Sequence, residues 1–188
     1  MKEILKELGA HLRKLGFKGS GQNFRKAEGD YVFIINFQSS RTGEVFFVNL
    51  GAQPTFIPAE GNAELTTLKE YECVMRMRVG KEWEWSLDAN ALLNLQKAVE
   101  ATSSEFFGRA QTLRAAIASE SIEELLRKFG SGTTEARATL HLARAANFLG
   151  HQGAANALVE HGLNIAGESA TILIRELRAV SQGRHSQL

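Results

Sequence analysis

Three arginines, Arg25, Arg76 and Arg78, and three side-chain amides, Asn36, Gln38 and Asn49, are the residues whose chemistry and spacing point to a binding surface. A guanidinium offers a planar fork of donors that matches a carboxylate or a phosphate, and an amide both donates and accepts. Candidates for catalysis or metal binding fare worse. Cys73 is the only cysteine and lies in an apolar run, which reads as an inert core thiol and not a nucleophile. His141, His151 and His161 recur every ten residues, which is not a whole number of helical turns, and His11 and His185 lie far away. Without a second cysteine or an HExxH motif, no metal-ligand set forms. Gly19-Ser20-Gly21 lacks the lysine-serine ending and the strand-to-helix setting of a phosphate loop, so a tight turn is expected. Trp83 and Trp85 read as large core or edge pieces. No catalytic residue, metal or cofactor is expected.

The elements that must position these residues fall into two halves. Ile4, Leu5, Leu8, Leu12 and Leu15 predict an amphipathic helix ending near Gly16. Period two then takes over. Asn23 to Ala27, Tyr31 to Ser39, Glu44 to Gln53 and Glu72 to Val79 predict strands, and Gly80-Lys81 a turn into a last strand carrying Trp83, Trp85 and Leu87. Pro54 and Pro58 mark a loop. From Asp88 onward there is no proline, and alanine, leucine, glutamate and arginine favour helix. Asp88 or Asn90, Ser119 or Ser121, and Thr133 or Thr134 are candidate caps, Gly130-Ser131-Gly132 a linker, and Gly150 the corner of a helical hairpin. The tail from Gln182 onward should fray. Strands in one half and helices in the other predict an α+β fold: an N-terminal helix, an antiparallel sheet of about four to five strands, and a C-terminal bundle of about four to six helices. The expected division is a sheet domain with its first C-terminal helices over 1–118 and a helical subdomain over 119–188.

Alternation sorts the strands into two faces. A hairpin turning about Arg41-Thr42 would set Asn36 opposite Phe47 and Gln38 opposite Val45. One face then holds Phe33, Ile35, Phe37, Phe46, Val48 and Leu50, with Cys73, Met75, Met77 and Val79 from the next strand. The other collects Arg25, Asn36, Gln38, Asn49, Glu72, Arg76 and Arg78. That face suits recognition of a carboxylate or phosphate; it also suits the hydrated side of an antiparallel sheet.

With 188 residues, 44% hydrophobic and 23% charged, the chain can bury a core and is not globally disordered. Its 22 basic and 21 acidic residues argue against whole-molecule affinity for nucleic acid or an anionic membrane. No stretch reaches the ~20 apolar residues of a bilayer span, and charges interrupt the N-terminal segment where a signal peptide needs an apolar run. A cytoplasmic protein is expected.

Leu15-Gly16-Phe17-Lys18, Phe24-Arg25, Ile35-Asn36-Phe37-Gln38-Ser39-Ser40, Val48-Asn49-Leu50-Gly51, Glu72-Cys73, Arg76 and Arg78 together resemble a bacterial family, the domain of unknown function numbered 4304. The likeness covers roughly the first hundred residues, and Ser39 stands where the family pattern carries a basic residue. It implies a fold more than an activity; by analogy such small proteins suggest an immunity partner of a toxin. The expected function is a non-catalytic protein-interaction module, immunity-like, using the arginine-bearing face. The alternative is a small anionic ligand-binding or enzymatic domain, with Arg76 and Arg78 in a pocket between sheet and helices. RNA or single-stranded DNA binding is a third and weaker reading.

Overall fold

In a computed structural model of the chain, residues 2–86 and 88–182 are described. Leu87 and the expected tail beyond Gln182 lie outside them. Helix α1 (Lys2–Lys14) precedes strands β1 (Lys18–Ser20), β2 (Asn23–Glu28), β3 (Tyr31–Ser39), β4 (Val45–Pro54) and β5 (Met75–Glu84). Six helices follow among the described residues: α2 (Ala89–Gln111), α3 (Leu113–Ser119), α4 (Ile122–Phe129), α5 (Glu135–Phe148), α6 (Gln152–Ile165) and α7 (Thr171–Ser181). The strands form one antiparallel sheet in the order β1-β2-β3-β4-β5. The fold is therefore α+β, as the segregation of patterns implies. Asp88, Ser121 and Thr134 cap α2, α4 and α5 by accepting from the N–H of Ala91, Glu124 and Arg137. Helices α5 and α6 form the hairpin about Gly150. None of the described helices is long and apolar enough to cross a membrane.

The apolar face is the centre of the core. Phe33, Ile35, Phe37, Phe46, Val48 and Leu50 are buried beneath Leu8 and Leu12 of α1 and Leu95, Val99, Phe106 and Phe107 of α2. Phe33 stacks on Phe107 with centroids 4.4 Å apart, and Phe46 on Trp85 at 4.1 Å. Each such side chain contributes about 1.5–3 kcal/mol by leaving water. The same apolar cluster continues into the C-terminal helices through Leu140, Ala143, Leu158 and Leu177.

Five expectations about the sheet need correction. Asn36 faces Asn49 and Gln38 faces Phe47, two residues away from the pairing that an Arg41-Thr42 turn implies. The cause is Ser40: its N–H donates to the Val45 carbonyl at 2.8 Å and its hydroxyl accepts from the Gly43 N–H. The loop between Ser40 and Val45 therefore holds four residues, with Gly43 at φ +77°. A shift by two preserves the faces and changes only the partners. Gly80-Lys81 is not a turn but a bulge inside a continuous β5, where pairing jumps from Val48–Val79 to Phe46–Trp83. Glu72 is in a 3₁₀ turn (Glu70–Glu72), off the sheet. Cys73 precedes β5 and packs on the opposite face, with Val32, Ile34, Ala59 and Leu68. Gly19-Ser20, expected within a tight turn, instead belongs to edge strand β1, and the turn falls at Gly21-Gln22.

That second cluster exists because residues 55–74 fold back over half of the polar face. Gln53 fastens both ends of the excursion: its amide nitrogen donates to the carbonyls of Pro54 and Ile57 at 2.8 and 3.0 Å, and its oxygen accepts from the Val74 N–H at 3.1 Å. Gly51 lets the excursion come close, since a Cβ there would lie 2.7 Å from Cys73 Sγ and 3.2 Å from the Glu70 carbonyl. Burial pushes the Cys73 thiol well above its ordinary pKa. Gly51→Ala should therefore cost about 1–3 kcal/mol in urea unfolding and speed alkylation of Cys73. Unchanged stability and an equally protected thiol would show that the close approach is not what seats residues 55–74.

Candidate functional site

Register places one polar row across four strands: Asn23, Asn36, Asn49 and Arg78 stand side by side. The Asn36 amide donates to Asn23 Oδ1 at 2.9 Å, and the Asn49 amide to Gln38 Oε1 at 2.9 Å and, more weakly, to Asn36 Oδ1 at 3.5 Å. Arg78 Nε donates to Asn49 Oδ1 at 3.0 Å. Its guanidinium lies 4.2 Å above the centre of the Phe47 ring, a cation–π contact that fixes its plane. Asn49 is buried beneath this network, whereas Gln38 and Arg78 are exposed. Among the described residues the terminal nitrogens of Arg78 have no hydrogen-bond partner, which leaves a held, planar donor pair facing outward.

The other two arginines are spent. Arg25 donates to the carbonyls of Thr66 and, at 2.7 Å, Leu68, pinning residues 55–74 to the sheet. Arg76 donates to the carbonyls of Tyr71, at 3.2 Å, and Gly132. The structure thus brings together Asn36, Gln38, Asn49 and Arg78 and leaves Arg25 and Arg76 as fasteners. A groove of about 460 Å³ lies beside Arg76, lined by Asn49, Glu70, Met77, Arg78, Ser131 and Gly132. Burial raises the pKa of Glu70, partly offset by the charges of Arg76 and Arg78.

A second polar cluster escaped the sequence pattern. Arg137, His141 and Arg144 share one face of α5, at spacings of four and three. His141 Nε2 is 2.9 Å from Glu60 Oε1, on the excursion over the sheet, and Arg137 lies 3.9 Å from the same oxygen. Arg137 and Arg144 both hold Glu176 of α7, at 2.7 and 3.1 Å. These contacts tie the 55–74 segment to the helical half. The available signal was the spacing of Arg137, His141 and Arg144, which puts two guanidinium groups and an imidazole on one face of α5.

A five-strand antiparallel meander, closed on one face by a preceding and a following helix and bearing an amide-and-arginine strip on the other, defines an α+β domain. The chain belongs to the family described as domain of unknown function (DUF4304), whose model matches residues 8–110. That match runs from within α1 to the last turn of α2, so it takes in the whole sheet and the helix that closes it. Neither a curated protein nor a solved structure matches the chain.

The Glu60–His141 pair carries a pH signature. Burial holds the His141 imidazole below its ordinary pKa, against the opposing pull of Glu60, so the ring is neutral and its Nε2–H donates to the carboxylate. The His141 hydrogen bond holds Glu60 below the usual carboxylate range, against its own burial. Both folded-state pKa values are depressed, so the unfolded chain takes up these protons first and stability falls as pH falls, beginning near the ordinary histidine value of 6.5. The thermal midpoint should drop between about pH 7 and about pH 5, and drop less in His141→Gln, which keeps the donor and removes the titration. Equal declines in both proteins would contradict this assignment.

Proposed function

We propose that this chain is a non-catalytic protein-interaction module that docks the open half of its polar sheet face, Asn36, Gln38, Asn49 and Arg78 around Phe47, against a carboxylate-bearing surface of another protein. One observation carries the reading: of the three arginines on this face, only Arg78 has terminal nitrogens without a partner among the described residues, and its Nε and ring contacts hold it ready. A side chain ordered before binding loses little entropy on binding, and arginine is among the residues that dominate interface energies. Flanking amides satisfied within the sheet still offer spare lone pairs and N–H groups to a polar rim. In the immunity-like form of this reading, the strip would cover acidic residues on a toxin. The pieces that carry the family resemblance include Asn36, Gln38 and Asn49, which supports a shared use of the strip.

A small anionic ligand held by Arg76 and Arg78 in the groove beside them is supported less well. Glu70 faces the same groove, and Arg76 already donates both terminal nitrogens to backbone carbonyls. The discriminating experiment is capture from the native host, with a photo-crosslinking residue replacing Gln38 in an otherwise wild-type chain and in Arg78→Glu. The expected outcome is a crosslinked protein whose attachment site is flanked by Asp or Glu, with affinity about thirtyfold weaker for Arg78→Glu while its circular dichroism shows the chain still folded. Equal capture by both chains would remove the strip as the docking surface.

A further inference from the structure

A cleft of about 740 Å³ lies at the β1–β2 edge, lined by Lys18, Arg25, Lys26 and Lys69, with Ser20 and Asn23 as neutral polar groups. Small-molecule sites commonly measure about 300–1,000 Å³. Among the described residues no carboxylate lines it, although the chain as a whole carries only +1. Lys18 and Lys69 have no ion-pair partner among the described residues and are exposed; Lys26 is shared with Glu28 at 2.6 Å. The terminal nitrogens of Arg25 donate to neutral carbonyls, and among the described residues no carboxylate pairs with its charge. Four cations line the cleft against two flanking carboxylates, Glu28 beside Lys26 and Glu72 on the Lys69 N–H, which leaves a positive local field.

The backbone adds a donor. The Gln22 carbonyl accepts from the Phe37 N–H, so in β2 the even-numbered residues face β3 and residues 23, 25 and 27 turn their N–H and C=O groups toward β1. Pairing with β1 begins at Lys18–Arg25, which leaves the Ala27 N–H without a strand opposite, in the wall of the cleft. We propose that this cleft binds a phosphate-bearing small molecule carrying more than one negative charge. Phosphate fits better than carboxylate. The one guanidinium here has its fork occupied, and separate ammonium groups approaching from Lys18 on β1 and Lys69 on the covering segment suit an anion whose charge is spread over several oxygens in three dimensions. The site is distinct from the Arg78 strip and does not depend on it.

Inorganic tripolyphosphate titrated into the full chain at low ionic strength, followed by calorimetry, tests the proposal. Binding tighter than about 1 mM is expected, about tenfold or more weaker in Lys18→Gln/Lys69→Gln, little changed in Lys81→Gln/Lys97→Gln, and accompanied by a shift of the Ala27 amide resonance. Citrate should bind more weakly than tripolyphosphate. Undetectable binding, equal weakening by both double variants, or citrate binding as tightly would each overturn it.

Discussion

The amide row on this protein's polar face depends on how β3 and β4 are paired. Alternation on both strands buries six large apolar side chains on one side, and the Ser40-closed loop chooses the pairing in which Asn36 meets Asn49. Arg78 on β5 then falls into line with them. A slip of one residue would bring unlike faces together and drive either Asn36 and Gln38 or Asn49 into an oily core. A slip of two would keep the core and dissolve the amide row. The hydrophobic effect therefore fixes the faces, and the turn fixes the partners.

The two faces are covered by different parts of the chain. Helices α1 and α2 and those beyond them close the apolar side in one continuous cluster. The polar side is half roofed by residues 55–74, a segment without long elements that is held by side chains reaching for backbone, Gln53 at both its ends and Arg25 in its middle, and by the side-chain pair of Glu60 and His141. Buried polar groups kept in partnership cost little, and each such bond removes an orphaned carbonyl or N–H from the roof. What remains open is the end bearing Gln38, Phe47 and Arg78. Charge that looks evenly distributed along the chain is in space divided among fasteners, an open strip and a basic edge.

The faces and the fold class were legible because their signals are local: period two in Tyr31–Ser39 and Val45–Pro54, period 3.6 in α1, caps at Asp88, Ser121 and Thr134. The pairing was not, since centring the turn on Arg41-Thr42 misses a side-chain hydroxyl that lengthens the loop. Cys73 was misplaced because the apolar run around it continues smoothly from the excursion into β5, and only the Gly51 contact shows which side it takes. The division of labour among the arginines was illegible in principle. Arg25 finds its acceptors 41 and 43 residues away, and Arg76 finds one 56 residues away. The Glu60–His141 contact, 81 residues apart, is of the same kind.

Arg78 stands free to dock a partner only while Arg25 and Arg76 are held by the fold. Treatment of the folded protein with an arginine-selective dicarbonyl reagent, with the modified sites followed over time by peptide mass spectrometry, reads this directly. Arg78 should be modified well before Arg25 and Arg76, which should react only as the protein unfolds. Early modification of Arg25 or Arg76, or protection of Arg78, would contradict it.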